Sequence, residues 1–376
     1  MLNSLNKIKI SNLTNLLGVK AKGIGIEIAP ERINIVQLRK QKQQYKLATN
    51  VSVEVPEGIF EEGKIIDSAA LAELIQTTMS SNGIKAKKVA TAVPMREAIM
   101  RIVPIPAELD DRELRDMVLN HEAALYLPYP REEVDIDYQK LGYFVDEDGI
   151  EKVNVLLVAT RREVTDLYME TFLQAGLQID VLEIASFALV RTIREQLRQF
   201  ASTEAVVLVD LEFDSTEIAI IVEGIPQFSR TVPIGTYQLQ NALSRAMNLP
   251  TSRNIELLQD MTIPIVQGSL STLTSATSIN PGMAALLRVL GELADELRRS
   301  IDFYLNQSSH IEVAQLLLAG PGGGIGQLDE FFTKRLSVPA MPIDPVASLA
   351  LASDTDIAPA KRPGLATVLG LGMREV

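Results

Sequence analysis

The sequence predicts an α/β protein of two lobes built on one plan, with a compact α+β module inserted in the first. Three observations predict it. A strand–strand–strand–helix order occurs twice, first from residue 23 and again over residues 205–247. The first strand of each copy ends on an acid, Glu27 in one and Asp210 in the other. Between the copies, residues 95–178 follow a different order of helix and strand.

The first copy opens with Ile24-Gly25-Ile26-Glu27-Ile28 and turns at Ala29-Pro30-Glu31 into Ile33–Leu38; Tyr45–Val55 makes the third strand. A helix is predicted over about Ser68–Ser80. Asp67 caps it, Leu71, Leu74, Ile75 and Thr78 share one face, and Asn82-Gly83 stops it. Val89–Val93 is the next strand. In the inserted module, Asp110 and Glu113 open a helix with a capping-box pattern, and it runs to Tyr126, before Pro128 and Pro130. Strands near 134–143 and 153–160 flank the turn Asp146-Glu147-Asp148-Gly149, and a helix from Glu163 stops at Gly176. The second copy runs Val206–Leu211, Glu217–Val222 and Pro226–Val232, with a helix beginning near Thr236. Residues 262–282 are rich in Ser and Thr and read as a surface loop. A long helix over about Ala284–Asn306 places Leu286, Leu290, Leu293, Leu297, Ile301 and Tyr304 on one face. The strand Val313–Leu318, a turn carrying Gly320, Gly322, Gly323 and Gly324, and a helix through Phe331 and Phe332 close the copy.

Composition narrows the function. Of 376 residues, 47% are apolar and 22% charged, which suits two ordinary cores rather than a disordered chain. A net charge of −12 opposes phosphate backbones, and the densest basic cluster, Lys85, Lys87 and Lys88, reads as solvated loop. No nucleic-acid partner is therefore expected. The absence of cysteine removes disulfides, thiolate metal sites and thiol nucleophiles. The two histidines, His121 and His310, sit in no hydrolase or zinc motif. No apolar run reaches the roughly 18–20 residues that span a bilayer, and no signal peptide is recognised, so a soluble intracellular protein is expected.

Four separated segments carry a resemblance. They are Tyr126-Leu127-Pro128-Tyr129-Pro130-Arg131-Glu132-Glu133-Val134, Ala185-Ser186-Phe187-Ala188-Leu189, Phe228-Ser229-Arg230-Thr231-Val232-Pro233-Ile234-Gly235, and Leu297-Arg298-Arg299-Ser300-Ile301-Asp302-Phe303-Tyr304. With the two-lobe plan, the chain resembles the PilM family of type IV pilus assembly proteins, relatives of the cell-division protein FtsA within the actin-like ATPase superfamily. The resemblance implies an actin-like fold with two RNase H-like lobes and an FtsA/PilM-type α+β insert. It divides the chain into a leader (1–21), a first-lobe core (22–94 and 179–202, with 363–376 packing back on it), the inserted subdomain (95–178), a second-lobe core (203–235 and 310–362) and an upper second-lobe subdomain (236–309).

The resemblance further implies a cytoplasmic platform, peripheral to the inner membrane through its partners. Its groove between insert and first lobe would hold the N-terminal cytoplasmic peptide of a PilN-like membrane protein, with the pilus motor ATPase and platform reached indirectly. Met95, Arg101, Tyr126 and Phe187 are the expected groove residues, with buried core as the alternative for the aromatic pair. ATP with Mg²⁺ is the cofactor the superfamily implies. Glu27, Asp210, Thr216, Glu256, Gly320, Gly322, Gly323 and Gly324 are the expected cofactor-binding residues, Asp210 and Glu27 facing the metal through water. The phosphate loops depart from the superfamily pattern. Ala29 stands for glycine, Pro30 has no N–H to offer a phosphate, Asn34 stands for lysine and Glu212 for glycine. These departures favour a platform with weak or absent hydrolysis. The alternative is an active ATPase whose nucleotide cycle gates partner binding, and a homo-oligomer stays open. Residues 1–20 permit an amphipathic helix through Leu2, Leu5, Ile8, Leu13 and Leu16, or a leader that orders only in the complex.

Overall fold

Two β-rich segments with the same internal order fold into two sheets of the same design. The computed structural model describes residues 22–41, 44–264, 280–308, 310–353 and 356–374; the leader 1–21 and most of the predicted surface loop, 265–279, lie outside the described residues. In the first lobe β1 (Lys22–Ile28), β2 (Arg32–Gln41) and β3 (Gln44–Glu54) form an antiparallel meander. The short ribbon of β4 (Phe60–Glu61) and β5 (Lys64–Ile65) leads to α1 (Ser68–Ser81), whose cap Asp67 accepts the Ala70 N–H at 2.9 Å. β6 (Lys88–Val93) returns parallel to β1.

The insert follows as β7 (Ala98–Pro106), α2 (Asp111–Asp116), β8 (Val134–Val145) and β9 (Glu151–Arg161), in the sheet order β7-β9-β8. Both halves of the Asp110–Glu113 capping box are made. Then α3 (Arg162–Gln174) leads to β10 (Gln178–Ile184), parallel to β6, and α4 (Ala185–Thr192). The first-lobe sheet thus reads β10-β6-β1-β2-β3.

The second lobe repeats this. β11 (Glu204–Leu211), β12 (Thr216–Val222) and β13 (Ile225–Val232) form the meander. Helices α5 (Thr236–Met247) and α6 (Pro281–Leu305) pack together on one face of it, and β14 (Glu312–Ala319) returns parallel to β11. After α7 (Leu328–Leu336), β15 (Ala340–Pro342) completes the order β13-β12-β11-β14-β15, and α8 (Ala366–Gly372) ends the described chain's helices.

Alternation along the strands explains how the lobes join. Val207, Val209, Leu211, Ile218 and Ile220 point to the second lobe's own core with Leu286, Leu290, Leu293 and Leu297 of α6. Their neighbours Val206, Leu208, Ala219 and Ile221 point the other way, against Leu189 of α4 and Ile193 and Leu197 just after it. Both faces are covered, so β11 and β12 are buried almost throughout. On the first lobe Ile24, Ile26, Leu71, Ile75, Tyr168 and Phe172 form the equivalent core. α8 packs on β1 and on α4. That contact requires glycine: a Cβ on Gly370 would stand 1.9 Å from the Ala188 carbonyl oxygen.

Three local features differ from the sequence expectation. β7 is a strand that the sequence did not predict; Pro104 and Pro106 interrupt its pattern, and it lies at a sheet edge where missing N–H groups are tolerated. The predicted helix to Tyr126 is regular only over α2, continues as a π-helical turn Met117–Glu122, and regains α geometry at Ala123–Tyr126. Helix α3 falls within the predicted insert but buries Tyr168 and Phe172 in the first-lobe core, packing beside α1. The insert's own core is Val103, Ile105, Leu114, Val118, Val153, Val155 and Leu157.

Candidate functional site

Two concave sites lie at lobe boundaries. The first is the cleft where the β1–β2 and β11–β12 turns face each other. Glu27 ends β1 and accepts a hydrogen bond from Asn34 Nδ2 at 2.8 Å. Asp210, directly opposite Glu217 in the β11–β12 register, is buried, and its Oδ1 has no hydrogen-bond partner among the described residues. Glu27, Asp210, Glu212, Asp214 and Glu217 line one cavity of about 80 Å³. That is room for two or three waters, against the roughly 300–1,000 Å³ of small-molecule pockets.

Crowding controls the charge state here. Burial, then the neighbouring Glu212 and Glu217 carboxylates, push the Asp210 carboxyl well above the usual range. Burial likewise raises Glu31, Glu212 and Glu217 to about 7, with Arg32 opposing the rise at Glu31 and Glu212. Asp210 and Glu212 share a side-chain hydrogen bond. Arg32 Nε lies 3.5 Å from Glu31.

The protein also bridges this cleft itself. Arg96, in the turn after β6, donates to Asp214 Oδ1 (2.9 Å) and Ser215 Oγ (3.1 Å) of the second lobe and to the Gly63 carbonyl (2.8 Å) of the first. Arg253 of the second lobe donates to the Pro30 (2.6 Å) and Val55 (3.3 Å) carbonyls, its guanidinium 5.3 Å from the Phe213 ring centre. Ser186 of α4 hydrogen-bonds the Glu217 carboxylate.

The other expected cofactor residues turn elsewhere. Thr216 donates its hydroxyl to the Ile234 carbonyl at 2.5 Å. Glu256 is exposed and pairs with Lys361 at 3.0 Å. Gly320 takes φ +71°, and a Cβ there would stand 2.7 Å from Asp210 Oδ1. Gly322 rests on the Leu211 side chain, Gly323 on Leu318 and Pro363, and Gly324 on the Ala360 carbonyl. The glycine turn is therefore packed by the chain's own 359–365 segment. Among the described residues no three acidic or histidine side chains are arranged to hold a metal. A Mg²⁺-nucleotide, as the superfamily implies, does not fit these residues as arranged. Glu212 lines the space the phosphates would enter, Pro30 offers no N–H, and a cavity of about 80 Å³ is far smaller than a small-molecule pocket.

The second site is a groove of about 1280 Å³. Its walls are residues 135–139 and Leu141 of β8, residues 181–184 of β10 with Phe187 and Val190 of α4, and the β12–β13 turn of the second lobe. Two strand edges flank it. Among the described residues β10 pairs only with β6, and β8 only with β9. The opposite edge of the first-lobe sheet, β3, is instead covered by Ala352, which exchanges hydrogen bonds with Leu47 N (2.8 Å) and Tyr45 O (3.1 Å). At the groove floor Glu183 is fixed by Arg191 at 2.7 and 2.6 Å and by Arg374 Nε at 3.1 Å.

Of the expected groove residues only Phe187 lines this cavity. Met95 is buried in the first-lobe core and borders the cleft instead. Arg101 donates to the Met100 carbonyl on β7, and Tyr126 lies exposed at the end of the insert's helical segment. The strand order β7-β9-β8 explains the displacement, since it brings β8 to the groove. The bridging arginines Arg96 and Arg253 were not singled out in the sequence. The nearest signal is Arg96, a charge just past the C-terminal end of a parallel strand, where ligand crevices of α/β sheets open.

Two like sheets sharing helices across a central cleft, with a separate module on the first, define an actin-like protein. The chain belongs to the family of the type IV pilus assembly protein PilM, whose model matches residues 25–262 and 282–376. It is similar to a chain in a structure of the PilM–PilN type IV pilus biogenesis complex, at 24% identity over 94% of this chain and 98% of that one, with a TM-score of 0.76. It is also similar to the ethanolamine utilization protein EutJ from Carboxydothermus hydrogenoformans, at 13% identity over 94% and 89% of the two chains and a TM-score of 0.51. No helix among the described residues is long and apolar enough to cross a membrane.

Proposed function

We propose that this chain is a cytoplasmic platform of type IV pilus assembly that binds the N-terminal cytoplasmic peptide of a PilN-like inner-membrane protein and so links it to the pilus motor. The groove carries this reading. It is large, floored by Phe187 and Val190 beside Glu183 and Arg191, and flanked by two strand edges that have no partner strand among the described residues. An extended peptide satisfies such edges with main-chain hydrogen bonds while its alternate side chains meet the floor, apolar at Phe187 and Val190 and charged at Glu183 and Arg191. The crowded carboxylates of the interlobe cleft argue against an obligatory nucleotide, and no step of the proposed function passes through one. The test is a titration of the protein into a fluorescently labelled N-terminal peptide of the PilN-like partner, followed by anisotropy without nucleotide. Saturable binding that a scrambled peptide does not reproduce supports the platform. No binding by folded protein overturns it.

A further inference from the structure

Resting on that reading of the groove, we propose that the second lobe supplies its third wall, so that peptide occupancy and closure of the two lobes are one coupled equilibrium. Glu223, Gly224, Ile225 and Pro226 line the same cavity as β8 and Phe187. They form the two-residue turn between β12 and β13, with Val222 opposite Ile225 and with Glu223 at φ +53° and Gly224 at φ +76°. Positive φ at both central residues marks the hairpin turn whose twist matches its strands, and such a ribbon is stiff. The same ribbon reaches the cleft at its other end, where Glu217 and Thr231 line the small cavity. Six residues separate Glu217 from Glu223, about 20 Å of strand. β13 also touches the Met95–Glu97 turn and β7.

The first turn of α4 makes the same connection on the other lobe. Ala185 lines the cleft, Ser186 binds Glu217 across it, and Phe187 lines the groove. Arg96 and Arg253 hold the lobes together without lining the groove, through Asp214, Ser215 and the Pro30 and Val55 carbonyls. A rotation of the second lobe that breaks these bridges swings the Glu223–Pro226 wall relative to β8 and Phe187. An occupant touching all three walls binds the closed arrangement more tightly, and by linkage it favours closure to the same degree. Its apparent affinity falls with the fraction of molecules in the closed arrangement.

The experiment uses the full chain and the labelled PilN-like peptide, comparing wild type with Arg96→Ala, Arg253→Ala, Ile225→Asp and Phe187→Ala, each checked for folding by circular dichroism. The absence of native cysteine lets Glu73→Cys on α1 and Arg288→Cys on α6 carry spin labels away from the groove for a distance measurement across the lobes. We expect Arg96→Ala and Arg253→Ala each to weaken binding about fivefold or more although neither residue lines the groove. We expect peptide to narrow the interlobe distance distribution, and Ile225→Asp to weaken binding directly. Arg253 binds backbone carbonyls, so its variant still answers if Arg96→Ala does not fold. Wild-type affinity in the folded bridge variants, or a distance distribution unmoved by peptide, overturns the coupling and leaves the groove reading standing if Phe187→Ala still loses affinity. A wild type that binds no peptide removes the groove reading and the coupling together.

Discussion

The cleft and the groove share the first turn of α4 as a common wall and differ in almost every property that decides what enters. The cleft is about 80 Å³, lined by carboxylates and bridged by Arg96 and Arg253. The groove is about 1280 Å³, with Phe187 and Val190 beside the Glu183–Arg191 pair on its floor and, among the described residues, two strand edges without a partner strand. An actin-like chain can therefore keep the two-lobed frame while its own residues fill the central cleft, leaving the boundary with the insert as the open surface. On the proposed reading the frame holds three walls in register rather than enclosing a phosphate.

The largest expected effect tests whether the glycine turn is packing rather than a ligand loop. A side chain at Gly324 would put its Cβ 1.8 Å from the Ala360 carbonyl oxygen, which is backbone and cannot rotate away. Gly324→Val should cost about 3 kcal/mol in denaturant unfolding without any nucleotide present. A variant as stable as wild type would mean that the 359–365 segment lifts off readily and that the cleft opens. On the groove side, Phe187→Ala should weaken peptide binding about thirtyfold, the loss typical of an aromatic anchor. Unchanged affinity by anisotropy would place the peptide elsewhere.

A smaller effect separates the two sites by pH. Glu212 holds its proton to about 7 in the folded protein, against 4.5 for the ordinary carboxyl, and burial is the main cause. Between these values the folded state binds more protons than the unfolded state, so stability falls as pH rises. The contribution is fully present below about 4.5 and is lost as pH passes 7. Glu212→Gln should raise stability at pH 8 by on the order of 1 kcal/mol and flatten the decline from pH 5 to 8. The gain is partial because Asp210, which shares the hydrogen bond, remains. Thermal melts across that range check it, and a steeper decline in the variant would contradict the charge crowding. Peptide affinity should follow the same pH trend weakly, through closure alone.

The two sites also differ in how much of them the sequence disclosed. The paired meanders were readable because Ile24–Ile28 and Val206–Leu211 are short apolar runs that end at an acid and a turn and recur in the same order, a local signal. The acids Glu27 and Asp210 were readable for the same reason, as strand ends. The arginines that bridge the cleft were not, since Arg96 meets Asp214 across 118 residues and Arg253 meets Pro30 across 223. For the groove, Phe187 was identified, while Met95, Arg101 and Tyr126 fell elsewhere because the order β7-β9-β8 cannot be read from chain order. Pro104 and Pro106 hid β7 itself, the edge on which Arg101 sits.

The smallest effect is the most pointed for the comparison. Glu256 was expected among the cofactor-binding residues. In the structure it is exposed and pairs with Lys361. That contact, with the Asn254 hydrogen bond, holds its carboxyl below the usual carboxylate range. An exposed pair of this kind is screened by salt and costs side-chain entropy to hold. Glu256→Ala should therefore leave the melting temperature and peptide affinity at wild-type values in ordinary salt. If the same substitution abolished binding of a labelled ATP analogue that wild type retained, Glu256 would be a cofactor ligand. The cleft would then exist in an open form in which Lys361 and the 359–365 segment move aside, and the contrast between a filled cleft and an open groove would become a contrast between two states of one molecule.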